Sequence, residues 1–236
     1  MKRKEMFSRG FKIASILVIQ LFVLTFFASA YNLEEYYPLD EGNTWFYNVT
    51  TDDAMFEMSL AVEGKETVDG QETVKLNDSR GGYKCLAFIS GALYEYKDSD
   101  VFASTVYTPA KKLLPNIGLG ETEDYTSVAV DYDQQGNKTG QIQESGKISM
   151  KEAEDINVPA GNFPGCLKFS SEVKTTEENG SYEEENCDIW YAQGVGKVKQ
   201  FCFNTAYDAA SGKATVFSKT FTLTSALING KEISNK

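Results

Sequence analysis

Cys166-Leu167-Lys168-Phe169-Ser170-Ser171-Glu172-Val173-Lys174, the turn Glu178-Asn179-Gly180-Ser181 and the returning run Tyr182-Glu183-Glu184-Glu185-Asn186-Cys187-Asp188-Ile189-Trp190-Tyr191-Ala192 decide the fold class. In the first run Leu167, Phe169, Ser171 and Val173 fall on one face. Cys166, Lys168, Ser170 and Glu172 fall on the other. A period of two is the signature of a strand. Asn-Gly tolerates the positive φ of a tight hairpin turn. Strands joined by so short a loop run antiparallel.

The same pattern extends in both directions. Trp45 to Thr50, Met55 to Val62, Val74 to Leu76, Gly82 to Ile89, Leu93 to Tyr96, Val101 to Tyr107, Tyr125 to Tyr132, Thr139 to Met150, Val198 to Asn204 and Ala214 to Leu227 all carry strand signals. Val68-Asp69-Gly70-Gln71, Ser90-Gly91 and Asp133-Gln134-Gln135-Gly136-Asn137 supply turns. Thr108 to Pro115, bounded by two prolines, is the one predicted helical turn of the mature chain. The alternation predicts that Phe217, Lys219, Phe221 and Leu223 share a face. It also predicts that Phe201 and Phe203 share one with Lys197 and Lys199, a strand passing from solvent into the core. No segment is a helix long enough for a parallel crossover. The expected fold is all-β, a single antiparallel meander of about eleven strands curled into a half-barrel, barrel or sandwich, with an N-terminal signal helix.

That helix is an address. Lys2, Arg3, Lys4, Arg9 and Lys12 precede the apolar run Ile13 to Phe27, and Ala28-Ser29-Ala30 provides the small residues that signal peptidase requires. Residues 1–30 are expected to be a cleaved signal peptide and 31–236 one antiparallel β domain. An uncleaved membrane anchor is the rival expectation. No cysteine follows the apolar run to take a lipid. Cleavage removes five basic residues and one acid, taking the formal charge from −11 to −15.

Composition excludes several chemistries. The chain has no histidine, so a Ser-His-Asp triad, a Cys-His pair and an HExxH zinc site cannot be built from it. Its acidity argues against nucleic acid. Asp131-Tyr132-Asp133 with Gly136 begins like a calcium loop, but Ile142 stands where the bidentate glutamate belongs. Glu177, Glu178 and Glu183 to Glu185 flank one hairpin tip, where a charged cap against edge pairing is sufficient explanation. No catalytic residues, metal ligands or cofactors are expected.

Four cysteines in an exported chain predict two disulfides. If Gln193-Gly194-Val195-Gly196 closes a hairpin, facing residues have numbers summing to about 389, which pairs Cys187 with Cys202. Cys85 and Cys166 are then left over for a second bridge, with buried, unpaired thiols as the alternative.

Two further stretches share a pattern. Tyr37-Pro38-Leu39, Gly42-Asn43-Thr44-Trp45 and Tyr47 stand near the mature start. Val158-Pro159-Ala160-Gly161-Asn162-Phe163, Cys166-Leu167-Lys168 and Trp190-Tyr191-Ala192-Gln193-Gly194-Val195-Gly196-Lys197-Val198-Lys199 stand near the end. Together they resemble uncharacterised exported bacterial β-rich proteins that open with YPLxxGNxWxY and close with VPAGxFxxCLK and WYAxGVGxVK. The resemblance implies export and a β fold more than an activity. The expected role is a non-catalytic β-protein of the periplasm, cell envelope or cell surface, or a secreted one. An apolar ligand or an envelope protein is the expected partner, and the aromatic load fits an apolar cavity inside a curled sheet. A structural or adhesive surface module is the alternative, a carboxylate-based hydrolase a more distant one. Membrane contact is expected only through an uncleaved signal segment.

Overall fold

The computed structural model describes residues 31–235; the signal segment 1–30, with its expected helix, lies outside the described residues. A single turn of helix, α1 (Leu33–Tyr36), leads into thirteen strands. These are β1 (Thr44–Thr51), β2 (Met55–Val68), β3 (Gln71–Asp78), β4 (Tyr83–Ile89), β5 (Ala92–Ser99), β6 (Ala103–Leu114) and β7 (Thr122–Asp133). There follow β8 (Lys138–Val158), β9 (Gly161–Glu177), β10 (Tyr182–Ala192), β11 (Gly196–Asp208), β12 (Lys213–Ile228) and β13 (Lys231–Ile233). Each strand pairs antiparallel with the next, and β1 also pairs with β12, from Thr44↔Leu227 to Thr51↔Lys219. Twelve strands therefore form a closed barrel, and β13 folds back on the end of β12.

The turns follow the local chemistry. Asp69-Gly70, Ser90-Gly91 and Asn229-Gly230 all have positive φ at both central residues, as two-residue hairpin turns require. At Glu178-Asn179-Gly180-Ser181 only Gly180 is left-handed (φ 89°), so the β9–β10 hairpin closes on a longer loop.

Two expectations are corrected. Thr108 to Pro115 is not a helical turn: β6 runs through Leu114. Pro109 sits where the β6–β7 ladder ends, at Thr108↔Val128, and where the β5 register slips, so no ladder N–H is missing. Phe201 and Phe203 do not enter the core. A bulge places Trp190 opposite Lys199 but Tyr191 opposite Lys197. The period breaks at Val198, so Lys197 turns inward while Phe201 and Phe203 stay outside, 43% and 45% exposed.

One end of the barrel is plugged. Leu33, Tyr36 and Tyr37 are buried there, and the Gly194 N–H donates to the Glu35 carbonyl. Tyr37 stacks on Trp45, and the Trp45 indole N–H donates to the Val195 carbonyl at 2.6 Å. Asn43, almost fully buried, donates to the Pro38 carbonyl and accepts from the Asn229 N–H. The β8–β9 hairpin folds across the same end, where the Ala160 N–H donates to the Leu223 carbonyl. Tyr37, Asn43 and Trp45 from the start of the chain thus meet Ala160, Gly194 and Val195 from near its end at this plug. At the opposite end lie the turns β1–β2, β3–β4, β5–β6, β7–β8, β9–β10 and β11–β12.

Along β9 the inward face is apolar. β9 directs Leu167, Phe169 and Val173 inward and Lys168, Ser170, Glu172 and Lys174 outward.

Gly196 has φ 108°, and a Cβ there would stand 2.9 Å from the Trp45 indole nitrogen. Gly196→Ala therefore combines backbone strain with overpacking and should cost about 3 kcal/mol. Urea unfolding of the two proteins measures it.

Candidate ligand cavity

The interior is not filled along its whole length. A cavity of about 630 Å³ lies above the plug. Its apolar wall comes from Leu76, Leu86, Leu93, Ile148 and Phe221, among others, each delivered inward by strand alternation, and from Tyr37 just beyond α1. The β5–β6 turn adds Val101 and Phe102, 49% and 75% exposed, as an apolar lip.

A belt of charge crosses this wall. Glu95 is only 1% exposed, and Lys84 bridges it to Asp98 at 2.5 and 2.9 Å. Burial works against the charge of Lys84, but Glu95 and Asp98 outweigh it and hold the ammonium well above its ordinary 10.5. Glu144, likewise buried, accepts from Lys111 at 2.9 Å and from the Tyr125 hydroxyl at 2.8 Å. Tyr125 lies across Gly146, where any Cβ would overlap its ring. Buried ions persist when each is paired and hydrogen-bonded, as here.

Side chains also close a seam. Beyond Thr108↔Val128 the β6–β7 backbone ladder stops. The Ser127 hydroxyl then donates to the Pro109 carbonyl at 2.6 Å, and Lys112 pairs with Glu123.

Two cations in the cavity lack such partners. Lys197 donates to the Gln200 side-chain carbonyl at 2.6 Å, and its ammonium lies 4.5 Å from the centre of the Phe221 ring. The Lys219 ammonium lies 4.6 Å from the centre of that ring. Among the described residues neither is ion-paired. Burial pushes Lys197 down to about 7, with Lys84 and Lys219 adding like-charge repulsion and Glu185 opposing. Burial also lowers Lys219, aided by Arg80 and opposed by Glu185 and Asp78.

The predicted Cys187–Cys202 bridge is present, between directly opposed residues of β10 and β11, and it lines the cavity. The predicted Cys85–Cys166 bridge is not formed. Both thiols are free and buried. Cys85 sits on β4 opposite Lys75 and Lys97, facing away from the cavity. Cys166 sits in the β8–β9 hairpin opposite Glu154. Distant strands separate them, which parity of count cannot reveal. Burial raises each to about 11, so both stay protonated at neutral pH.

The acidic clusters disperse. Asp133 accepts N–H bonds from Gln135 and Asn137 within its own turn, and Asp131 accepts from Thr105. Along β10, Glu183 and Glu185 share Asn204, whereas Glu184 pairs with Lys174. Glu185, Cys187 and Cys202 lie close together, but the sulfurs are bonded to each other and offer no thiolate to an ion. Sequence reasoning placed Lys219 between Phe217 and Phe221 on one face, which the structure shows as inward. It passed over Glu95, Lys84, Glu144 and Lys111. The signal for Glu95 was present: it shares a face with Leu93, an apolar position two residues earlier.

No protein-family model and no curated protein matches the chain. Among solved structures, it is similar to a candidate exported protein of Bacteroides fragilis NCTC 9343 described as having a YmcC-like fold. Identity is 16%, over 79% of this chain and 96% of that one, with a TM-score of 0.50. A candidate lipoprotein of Parabacteroides distasonis ATCC 8503 matches at 15% identity over 80% and 96% of the chains, with a TM-score of 0.49. The likeness is one of fold.

The bridge closes a loop of 15 residues, so reducing it, or Cys187→Ser with Cys202→Ser, should cost about 3 kcal/mol. Ellman titration should find no reactive thiol in the native protein and two after unfolding. For Lys197, the unfolded chain keeps to pH 10.5 a proton that the folded one releases near 7. Stability from this residue therefore rises with pH across that window. Lys197→Met should flatten that rise and stabilise the protein at pH 6.5, as urea unfolding at pH 6.5 and 9 would show.

Proposed function

We propose that this chain is an exported, non-catalytic binding protein of the periplasm or envelope that holds an apolar ligand inside its barrel. The cavity carries the reading: about 630 Å³, plugged at one end and walled by Leu, Ile, Phe and Tyr side chains, it has the size and lining of a small-molecule site. Export is supported by the basic start, apolar run and Ala28-Ser29-Ala30 ending, and by a fold shared with a protein described as a candidate exported one. The motif resemblance points the same way. A non-catalytic role is supported by the chemistry of the interior groups. Glu95 and Glu144 are tied to lysines, and the two free thiols are protonated and sequestered.

A protein partner is the second reading. Phe201, Phe203 and Val216 project from the outer face of β11 and β12, 43%, 45% and 54% exposed. Dispersed singly, such residues need no partner; adjacent on one face, they form an apolar strip.

The test is fluorescence of N-phenyl-1-naphthylamine, an uncharged apolar probe. Its emission should rise saturably with one site per chain. Val173→Trp, which places an indole in the cavity from β9, should abolish the rise with the barrel still folded by circular dichroism. Absence of enhancement, or equal enhancement in the variant, would refute the cavity reading. Protein recovered from the periplasm should begin at Tyr31; an N-terminus at Met1 would show a retained anchor.

A further inference from the structure

The cations lining the cavity divide into two groups. Arg80 is paired with Asp78, Lys84 with Glu95 and Asp98, Lys111 with Glu144 and Lys112 with Glu123. Lys197 and Lys219 have no such partner among the described residues, although they stand on adjacent strands and share the Phe221 ring. An enclosed ammonium without a counter-ion is costly, and cation–π contact offsets only part of that cost. This chain has acids to spare, yet none pairs with these two.

We propose that Lys197 and Lys219 form an anion clamp and that the ligand is an amphiphile with one anionic headgroup, its apolar body lying along the Leu76, Leu86 and Ile148 wall. This rests on the cavity reading above and names the ligand's chemistry.

The placement is coherent with such a molecule. Gln200 links Lys197 to the disulfide: its carbonyl accepts from Lys197 and its amide points to the Cys202 sulfur at 3.0 Å. The head therefore meets lysine donors, while Lys84 and Lys111, already neutralised, do not compete for it. Lys219 stands directly opposite Cys202 of the bridge, and Phe221, opposite Gln200, holds its ring against both ammonium groups and lines the cavity wall. Glu185 faces the lysines from β10 and is held by Asn204 at 3.3 Å; it leaves the three charges with a net single positive charge. A single anionic head completes the balance. A charged hydrogen bond in a desolvated site is about twice as strong as a neutral one. Clamp and wall thus have separate tasks: the wall supplies affinity in proportion to buried chain, and the clamp selects the head.

The experiment displaces bound N-phenyl-1-naphthylamine from the whole protein with palmitate, hexadecyl phosphate and hexadecanol, which share a chain and differ in head. At pH 6.5 one or both anions should displace the probe at about tenfold lower concentration than the alcohol. Palmitate and hexadecyl phosphate side by side distinguish a carboxylate from a phosphate head. Lys219→Met, near the mouth, and Lys197→Met should each shrink the anion-to-alcohol ratio towards one. Glu185→Gln should enlarge it. Hexadecanol displacement measures the apolar wall in each variant. Probe binding with anions no better than the alcohol, or a preference that survives both lysine substitutions, would overturn the clamp and leave the cavity standing. Failure of the probe to bind the unmodified protein would instead overturn the cavity reading.

Discussion

The ladder between β1 and β12 is the constraint on which the other features depend. Without it the meander would have two open edges, each a row of unpaired N–H and C=O groups. With it, the β1 residues Trp45, Tyr47 and Val49 face the β12 residues Phe221 and Leu223 inside one sealed surface. Closure also fixes what is inside. A slip of one residue would send Phe221 outward and Thr220 and Thr222 inward, and the cavity wall would be lost. The register is held from both sides: the Trp45 indole is tied to Val195 across the plug, and Asp52 accepts from Ser218 at the other end.

The plug and the cavity depend on each other. A closed barrel of twelve strands is wider than side chains alone can fill. At one end the chain supplies extra material, from α1, Tyr37 and the folded β8–β9 hairpin, and packing is complete. Above it nothing comparable enters, and the remaining space is bounded by leucines, aromatic rings and paired ions. The residues of the Tyr37-to-Tyr47, Val158-to-Phe163 and Trp190-to-Gly196 stretches gather at the plug. They therefore describe how such a barrel is stoppered rather than what it holds. Of the residues that would select a ligand, Lys219 lies towards the open end, and Lys197 stands where plug and cavity meet, its carbonyl accepting from the Tyr47 hydroxyl.

The Cys187–Cys202 bridge joins these two levels. It crosslinks β10 to β11 on the inner face, beside Gln200 and below Glu185, so it stiffens the wall that carries the unpaired lysines. The free thiols are placed otherwise, on residues that face away from the cavity or into the plug, where a protonated sulfur packs as a small apolar group.

Local chemistry alone determined a good deal here. Alternation in Leu167, Phe169 and Val173, the Asp-Gly and Asn-Gly turns and the want of long helices required an antiparallel meander, because period and turn type are properties of adjacent residues. The facing of Cys187 and Cys202 was legible for the same reason: both belong to one hairpin. Tertiary structure decided whatever joins distant parts of the chain. Closure of β1 on β12 links residues more than 160 positions apart. The solitude of Cys85 and Cys166, the pairing of Lys111 with Glu144 and the inward turn of Lys197 at a bulge likewise depend on register and curvature across many strands. No short window of sequence holds that information, because the free energy that selects it comes from burying one shared interior.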